Sequence, residues 1–349
     1  MSEMKKKSTQ RDVAERAGVH PSTVSLALRK HPSIPPGTRE RIERAAADLG
    51  YAPDPVLAAL SDYRRRCRSR SFQGGLAWVA SRTPDFDWKR NRTFRQYLEG
   101  ARRRAADHGY QLEVMELEPG KLGPRRVSSI LKAKNIKGIL LCPQPTAESC
   151  LELDWSSFSC VTFGYSLSRP QLHTVAPSQF RAMARTMEVL HQRGYRRVAF
   201  AFSPEHDRRA DHNYLGAYLA AQHGTGAQPL ICDCRPNAPA AFRSWFDEVW
   251  PDAIVTGYSG FLALLEKAGL RAPQEIGLAS PVLVENGGRI AGIYENSVRI
   301  GEIAVDHLAQ LILRGERGIP GEAQRIHIEG LWVEGETLRG AADAGSRVR

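Results

Sequence analysis

Between Thr9 and Leu28 the chain reads as a helix, a tight turn and a second helix, and this stretch restricts the fold more than any other. Thr9 is placed to cap the first helix, with Asp12 three residues on to reciprocate. Val13, Ala14 and Ala17 put small apolar groups on one face at helical spacing. Gly18 can take the positive φ that a short inter-helix turn requires. Pro21 at the first position of the second helix loses no hydrogen bond, because that N–H has no helical partner. Val24 and Leu28 can pack back on the first helix, while Ser22, Thr23, Ser25, Leu26 and Arg29 point the other way. A short helix with a small, hydrogen-bonding outer face suits a DNA major groove. Taken alone, the same pattern is also that of an ordinary pair of packed helices.

A third helix from Pro36 to Leu49 carries Ile42, Ala45, Ala46 and Leu49 on one face, which lets three short helices close a small core. The elements D-V-A-x-x-A-G-V-x-x-x-T-V-S from Asp12 to Ser25, T-R-E-R-I from Thr38 to Ile42 and L-G-Y-x-P from Leu49 to Pro53 stand at fixed offsets. On these motifs, residues 9–60 resemble the headpiece and hinge of the lactose/galactose-repressor (LacI/GalR) family of bacterial transcription regulators. The resemblance implies DNA contacts from Gln10, Arg11, His20, Pro21, Ser22, Thr23, Ser25, Leu26, Arg29 and Thr38, and from the hinge residues Leu57 and Leu60. Leu60 falls where the family wedges a leucine between base pairs in the minor groove, which unstacks one step and bends the duplex. Two features depart from the pattern. Asp54-Pro55 replaces a commoner polar and basic pair, and Leu26 stands where several members carry arginine. An arginine fork reads guanine, whereas a leucine can touch a thymine methyl group, so the operator half-site is expected to differ.

Charge agrees with a DNA-binding end. The 349-residue chain has a net charge of +11, and residues 1–73 hold 15 Lys and Arg against 8 Asp and Glu, a surplus of 7. Arg64, Arg65, Arg66, Arg68 and Arg70 crowd the linker, and such a run cannot pack in a core without partners. Beside an inserting hinge it is expected to contact phosphates, with Arg64 and Arg65 foremost. No apolar run approaches the ~20 residues that span a bilayer, and the amino terminus lacks a signal-peptide core. A cytoplasmic protein is expected, with its six cysteines reduced and showing no paired metal spacing.

From Gly74 onward, apolar runs of strand length alternate with amphipathic helices, the mark of parallel sheets covered on both faces. The expected fold class is α/β: a small all-α helix-turn-helix headpiece at 9–53, a hinge and basic linker at 54–73, and two Rossmann-like lobes of periplasmic-binding-protein type at 74–338. The first lobe is assigned about 74–176 plus 291–313, and the second about 177–290 plus the carboxy-terminal strands. Arg299–Leu313 carries an apolar stripe that serves either intrachain core or a dimer face. Ligands in such sheets bind beyond the carboxyl ends of strands. That rule selects Ser81, Arg82, Asp85, Tyr165, Arg209, Asp211, Asn213 and Tyr258 as effector-binding candidates.

Phosphate-loop, dinucleotide and H-E-x-x-H zinc motifs are absent from the sequence. Gly257-Tyr258-Ser259-Gly260 resembles a nucleophile elbow but lacks its final glycine, so Ser259 is read as a helix N-cap. Catalytic residues, metal and cofactor are therefore not expected. The effector pocket departs from the family: Asn213 stands three residues before Gly216 where sugar- and purine-responsive members carry arginine, and Tyr258-Ser259 replaces Asn-Asp. The expected function is sequence-specific transcription regulation by a homodimer on operator DNA, modulated by a small effector such as a carbohydrate. The alternative is a sugar or metabolite sensor with a degenerate headpiece.

Overall fold

The computed structural model describes residues 8–28, 31, 33–51, 73–118, 120–121, 123–233 and 238–340. Arg29, Leu57, Leu60, Arg64 and Arg65, with the rest of the hinge and basic linker except Gln73, lie outside the described residues.

Three helices open the chain: α1 (Gln10–Ala17), α2 (Pro21–Leu28) and α3 (Pro36–Asp48). Thr9 and Asp12 form the reciprocal cap, and Gly18 ends α1 in the left-handed region at φ 59°. The Val19 amide returns to the Ala14 carbonyl across that turn. Val13, Ala14, Ala17, Val24, Ala27, Ile34, Ile42, Ala45 and Ala46 are buried together, and Leu28 and Leu49 pack against them. This core is small because alanine allows close helix approach but buries little area.

The first lobe is a six-stranded parallel sheet. Its strands are β1 (Gly74–Ser81), β2 (Tyr110–Leu117), β3 (Ile136–Leu141), β5 (Ser159–Phe163), β7 (His173–Pro177) and β13 (Arg325–Ile328), in the order β13-β7-β5-β3-β1-β2. A two-residue strand β4 (Ser149–Cys150) pairs aside with β6 (Leu167–Arg169). On one face lie α4 (Arg92–Asp107) and α11 (Ser297–Arg314), with Trp78, Phe94, Tyr97, Phe163, Ile300 and Leu308 in the shared core. α5 (Pro124–Ala133) covers the other face through Val127 and Leu131. The apolar stripe of α11 is thus intrachain core. Gly100 and Gly301 let α4 and α11 touch backbone to backbone; a Cβ on either would fall 1.9 Å from the Val298 carbonyl oxygen or 2.0 Å from that of Tyr97.

The second lobe repeats the plan. α6 (Gln179–Gln192), β8 (Val198–Ala201), α7 (Pro204–Arg209), α8 (Asn213–Thr225), β9 (Leu230–Ile231), α9 (Pro239–Val249), β10 (Ala253–Thr256), α10 (Phe261–Lys267), β11 (Gly277–Leu283), β12 (Ala291–Tyr294) and β14 (Leu331–Val333) build it. Its sheet order is β14-β12-β11-β10-β8-β9, parallel except for the antiparallel β12–β14 pair. β8 and β10 are buried at every residue, as strands covered on both faces must be.

Three expectations are corrected here. Residues 291–313 do not all join the first lobe: β12 extends the second sheet beside β11, and the chain crosses over only at α11. Nor do the last strands both join the second lobe, since β13 pairs with β7 in the first and β14 with β12 in the second. The physical reason is pairing: each of these strands completes an edge that its own lobe would otherwise leave open. Ser259 does not cap α10, whose N-cap is Gly260 with no side-chain bond.

Candidate nucleic-acid interface and interlobe cleft

On α2 of the headpiece, the residues facing away from the core are hydroxyl-bearing ones and one leucine. Ser22 and Leu26 are exposed on α2, with Leu26 at 36%, and Thr23 and Ser25 are half-buried at its sides. His20 precedes the helix, and its carbonyl accepts from the Thr23 and Val24 amides. The Ser22 amide donates to His20 Nδ1 at 3.3 Å, and the Ser22 hydroxyl lies 2.8 Å from the same nitrogen. Gln10 donates from Nε2 to the Pro21 carbonyl at 3.4 Å, tying α1 to the start of α2. Arg11 is exposed on α1, and Thr38 is half-buried in the first turn of α3. The described candidates from Gln10 to Leu26 thus cluster on α1, the turn and α2, with Thr38 alone on the third helix. An outward row of hydroxyls around one leucine can donate to and accept from base edges and meet a methyl group.

The second candidate site is a cavity of about 840 Å³ between the lobes. Three of the eight effector candidates line it: Tyr165, Arg209 and Tyr258. The others stand elsewhere. Ser81 donates to Gln144 Oε1 at 2.8 Å. Arg82 pairs with Glu116 at 3.6 Å and shares with Asp85 a separate surface crevice. Asp211 lines a small crevice that also takes in Tyr165, and the Asn213 side-chain Nδ2 donates to the Ala210 carbonyl at 2.7 Å.

The strand-end rule misses most of the cleft, because helices supply it. Phe94 and Tyr97 come from α4, Gln179 from α6, His206 from α7 and Tyr214 from α8. Glu295 sits where β12 gives way to α11. Its signal in the sequence was a single acid directly after a buried strand.

The Arg209 guanidinium lies 5.6 Å from the Phe86 ring and 5.7 Å from that of Phe94, so a second-lobe cation rests on first-lobe rings. Arg92 pairs with Glu285, Gln96 donates to the Val284 carbonyl at 3.3 Å, and the Ala147 amide donates to Glu205 Oε1 at 2.9 Å. All three contacts join one lobe to the other. Gly257 ends β10 without a side chain because a Cβ there would fall 2.5 Å from Phe202 and 2.7 Å from the His206 ring.

Burial sets the protonation of the cleft. His206 is pushed down to about 4 by desolvation, helped by the Arg209 charge, so its imidazole is neutral at ordinary pH. Glu295 is pushed up to about 8 by complete burial, although the Tyr214 hydroxyl donates to it. Tyr97 and Tyr214 are raised well above the usual phenol range, first by burial and then by the Glu295 charge. Among the described residues, no group of His, Cys, Asp and Glu side chains could hold a metal ion, and no helix is long and apolar enough to cross a membrane.

Comparison with known proteins follows both halves of this picture. Residues 9–54 match the family "Bacterial regulatory proteins, lacI family". The chain is 25% identical over 286 residues to the HTH-type transcriptional repressor CytR of Escherichia coli (strain K12), covering 78% of this chain and 79% of that one. It is 22% identical over 323 residues to the ribose operon repressor of the same organism, covering 87% and 93%. Among solved structures, the lac repressor dimer bound to operator and the anti-inducer ONPF superposes with a TM-score of 0.56 at 18% identity, over 96% of this chain and 100% of that one. The complex of the transcriptional regulator CelR with cellobiose gives 0.56 at 20% identity over 95% and 99%. Residues 9–54 match the lacI-family model and nearly the whole length is similar to repressors of that type, so the chain is a DNA-binding transcription regulator of LacI type.

Proposed function

We propose that this protein is a cytoplasmic, homodimeric repressor whose hold on a near-palindromic operator depends on a small ligand in the interlobe cleft. The observation that carries the reading is the pairing of an exposed polar α2 face with a roomy cleft lined by buried aromatic and titratable groups. One headpiece spans only a few base pairs, so two related by a two-fold axis supply useful specificity. The relatives support the assignment: one solved neighbour is a dimer on operator and another holds cellobiose. On this reading the headpiece occupies 9–53, the hinge and basic linker 54–73 and the two-lobed body the remainder to 338. Ser22, Thr23, Ser25 and Leu26 meet base edges, Gln10, Arg11 and Thr38 hold the backbone, and Leu60 enters the minor groove. Tyr165, Arg209 and Tyr258 touch the effector. The chain performs no chemistry; occupancy of the cleft alters the spacing of the two hinges and so couples the sites.

Fluorescence anisotropy on labelled fragments from around the protein's own gene tests this at about 50 mM salt, where phosphate contacts are strong. A tight, competitor-resistant complex that Ser22→Ala weakens is expected. Binding that random DNA competes away equally well would instead favour a metabolite sensor with a degenerate headpiece. For the effector half, a deproteinised cell extract should shift operator affinity, and Arg209→Ala should abolish that response.

A further inference from the structure

The cleft contains buried side-chain oxygens that no described residue satisfies. Glu295 is 4% exposed, and its Oε2 has no hydrogen-bond partner. The amide oxygen of Gln179, which lines the same cavity, is also buried without one. A short relay explains the imbalance. Gln179 bonds the Tyr214 hydroxyl, and that hydroxyl donates to the Glu295 carboxyl. One Gln179 N–H and the Tyr214 proton are spent along this relay, while Gln179 Oε1 and Glu295 Oε2 are left without partners. A buried acceptor left bare costs about 1–3 kcal/mol, and more when it is charged. Native interiors seldom tolerate two such atoms in one cavity unless something else completes them.

No cation among the described residues does so. Arg209, on the same cavity wall, has Glu205 as its main charged neighbour and rests over Phe86 and Phe94. Burial alone keeps Glu295 protonated near neutral pH, and a neutral polyol does nothing to lower the cost of ionising it. A ligand ammonium or amidinium within hydrogen-bond reach would draw the carboxyl into its ionised form, cancel the charge so created and donate several N–H groups. The surroundings also favour a cation. Tyr97 and Tyr214 both stand close enough to Glu295 to feel its charge, and ring faces attract cations.

We propose that the effector carries a basic nitrogen, which donates to Glu295 Oε2 and Gln179 Oε1 and is flanked by Tyr97 and Tyr214. This rests on the reading of the cleft as the effector site. It also locates the signal. Glu295 lies at the crossover from β12 of the second lobe to α11 of the first. A ligand bound there touches one of the three segments that link the lobes.

Thermal-shift measurements on the full-length protein near neutral pH test the class with matched pairs: glucosamine and glucose, galactosamine and galactose, adenosine and inosine, putrescine and butane-1,4-diol. At least one nitrogen-bearing member is expected to raise the melting temperature where its oxygen twin does not. Titration calorimetry should then show Glu295→Gln weakening that ligand by about tenfold or more, while the free variant melts no lower than the parent. Twins that stabilise equally, binding that survives Glu295→Gln, or no shift from any nitrogen-bearing member overturns the proposal. A neutral sugar that both stabilises the protein and shifts operator affinity would sink the basic nitrogen and leave the effector cleft standing. An operator affinity indifferent to the whole extract would sink the cleft reading itself.

Discussion

The headpiece and the two-lobed body solve the problem of holding a site still in opposite ways. The headpiece closes on alanines and a few branched residues, and its core draws only on the stretch from Val13 to Ala46. The body closes on tryptophans, phenylalanines and tyrosines, and its cleft draws side chains from residues 90 to 295. A thin core of local contacts gives a reading head that can be loosened alone. A thick core of distant contacts gives a cleft that changes only when the lobes do. The two regions should therefore respond to separate sets of mutations, with separate thermal transitions.

The hardest blow to that separation falls on the α4–α11 crossing. Gly301→Val would drive a branched side chain into the Tyr97 carbonyl, which the first added carbon alone would meet at 2.0 Å. The helices must part, at upward of about 4 kcal/mol, the exceptional end of overpacking costs. Calorimetry should show the body transition falling steeply, with the headpiece transition unmoved. Because Tyr97 lines the cleft, any folded remnant should also lose effector binding. A headpiece that melted together with the body would break the comparison.

Glu295 offers the next largest effect and one with a sign. Its folded carboxyl is held up to about 8, far above an ordinary carboxylate. The folded state then keeps a proton that the unfolded chain releases from about pH 4.5 upward. Stability accordingly falls as pH rises between roughly 4.5 and 8, by up to about 1.4 kcal/mol per unit, and levels off above. Glu295→Gln should remove this slope from the body transition, so that the variant gains on the parent as pH climbs from 5 to 8. Parallel curves for parent and variant would mean that the carboxyl ionises freely in the fold.

These two positions also mark where sequence reading stops. Thr9, Gly18 and Pro21 act within their own helix or turn, and Val24 and Ile42 declare a buried face by helical spacing, so their roles could be read from residue type and spacing. Tyr165, Arg209 and Tyr258 were reachable because ligands gather beyond strand ends. The same rule also chose Arg82 and Asp85, but the Thr83–Phe86 bridge turns that loop aside and Arg82 settles on Glu116. Tyr97, Gln179, Tyr214 and Glu295 had no local signal strong enough. An aromatic on an amphipathic helix looks the same whether it faces a sheet or a cavity. Which lobe β12 and β13 join depends on edges that only the assembled sheets define. β7, written His-Thr-Val-Ala-Pro, does not resemble a strand until its neighbours bury it.

Ile42→Ala moves the test to the thin core. The side chain is fully buried among alanines that cannot swell to fill the gap. A loss of about 3 kcal/mol is expected, and a domain of this size has little more to lose. Operator binding should collapse at temperatures where the body remains folded and still takes its ligand. Loss of ligand binding in step would show that the two regions share stability after all.

The smallest effect is the sharpest test of locality. In the reciprocal cap the Thr9 amide donates to Asp12 Oδ2 at 2.7 Å, and the Thr9 hydroxyl accepts from the Asp12 amide at 3.4 Å. Thr9→Ala removes the hydroxyl and should cost about 1 kcal/mol, while Thr9→Ser should restore most of it. In so small a unit that lowers the headpiece midpoint by roughly 8 °C. Yet the cap bonds of Thr9 run to Asp12 within α1, and a headpiece still mostly folded at 25 °C presents Ser22 and Leu26 unchanged. Operator affinity at that temperature should move by less than about twofold, since only the folded fraction changes. Ser22→Ala should do the reverse, leaving the midpoint nearly fixed and weakening the operator. If both substitutions moved stability and affinity together, the polar face of α2 would be part of what holds the headpiece up, and not a surface held out to DNA.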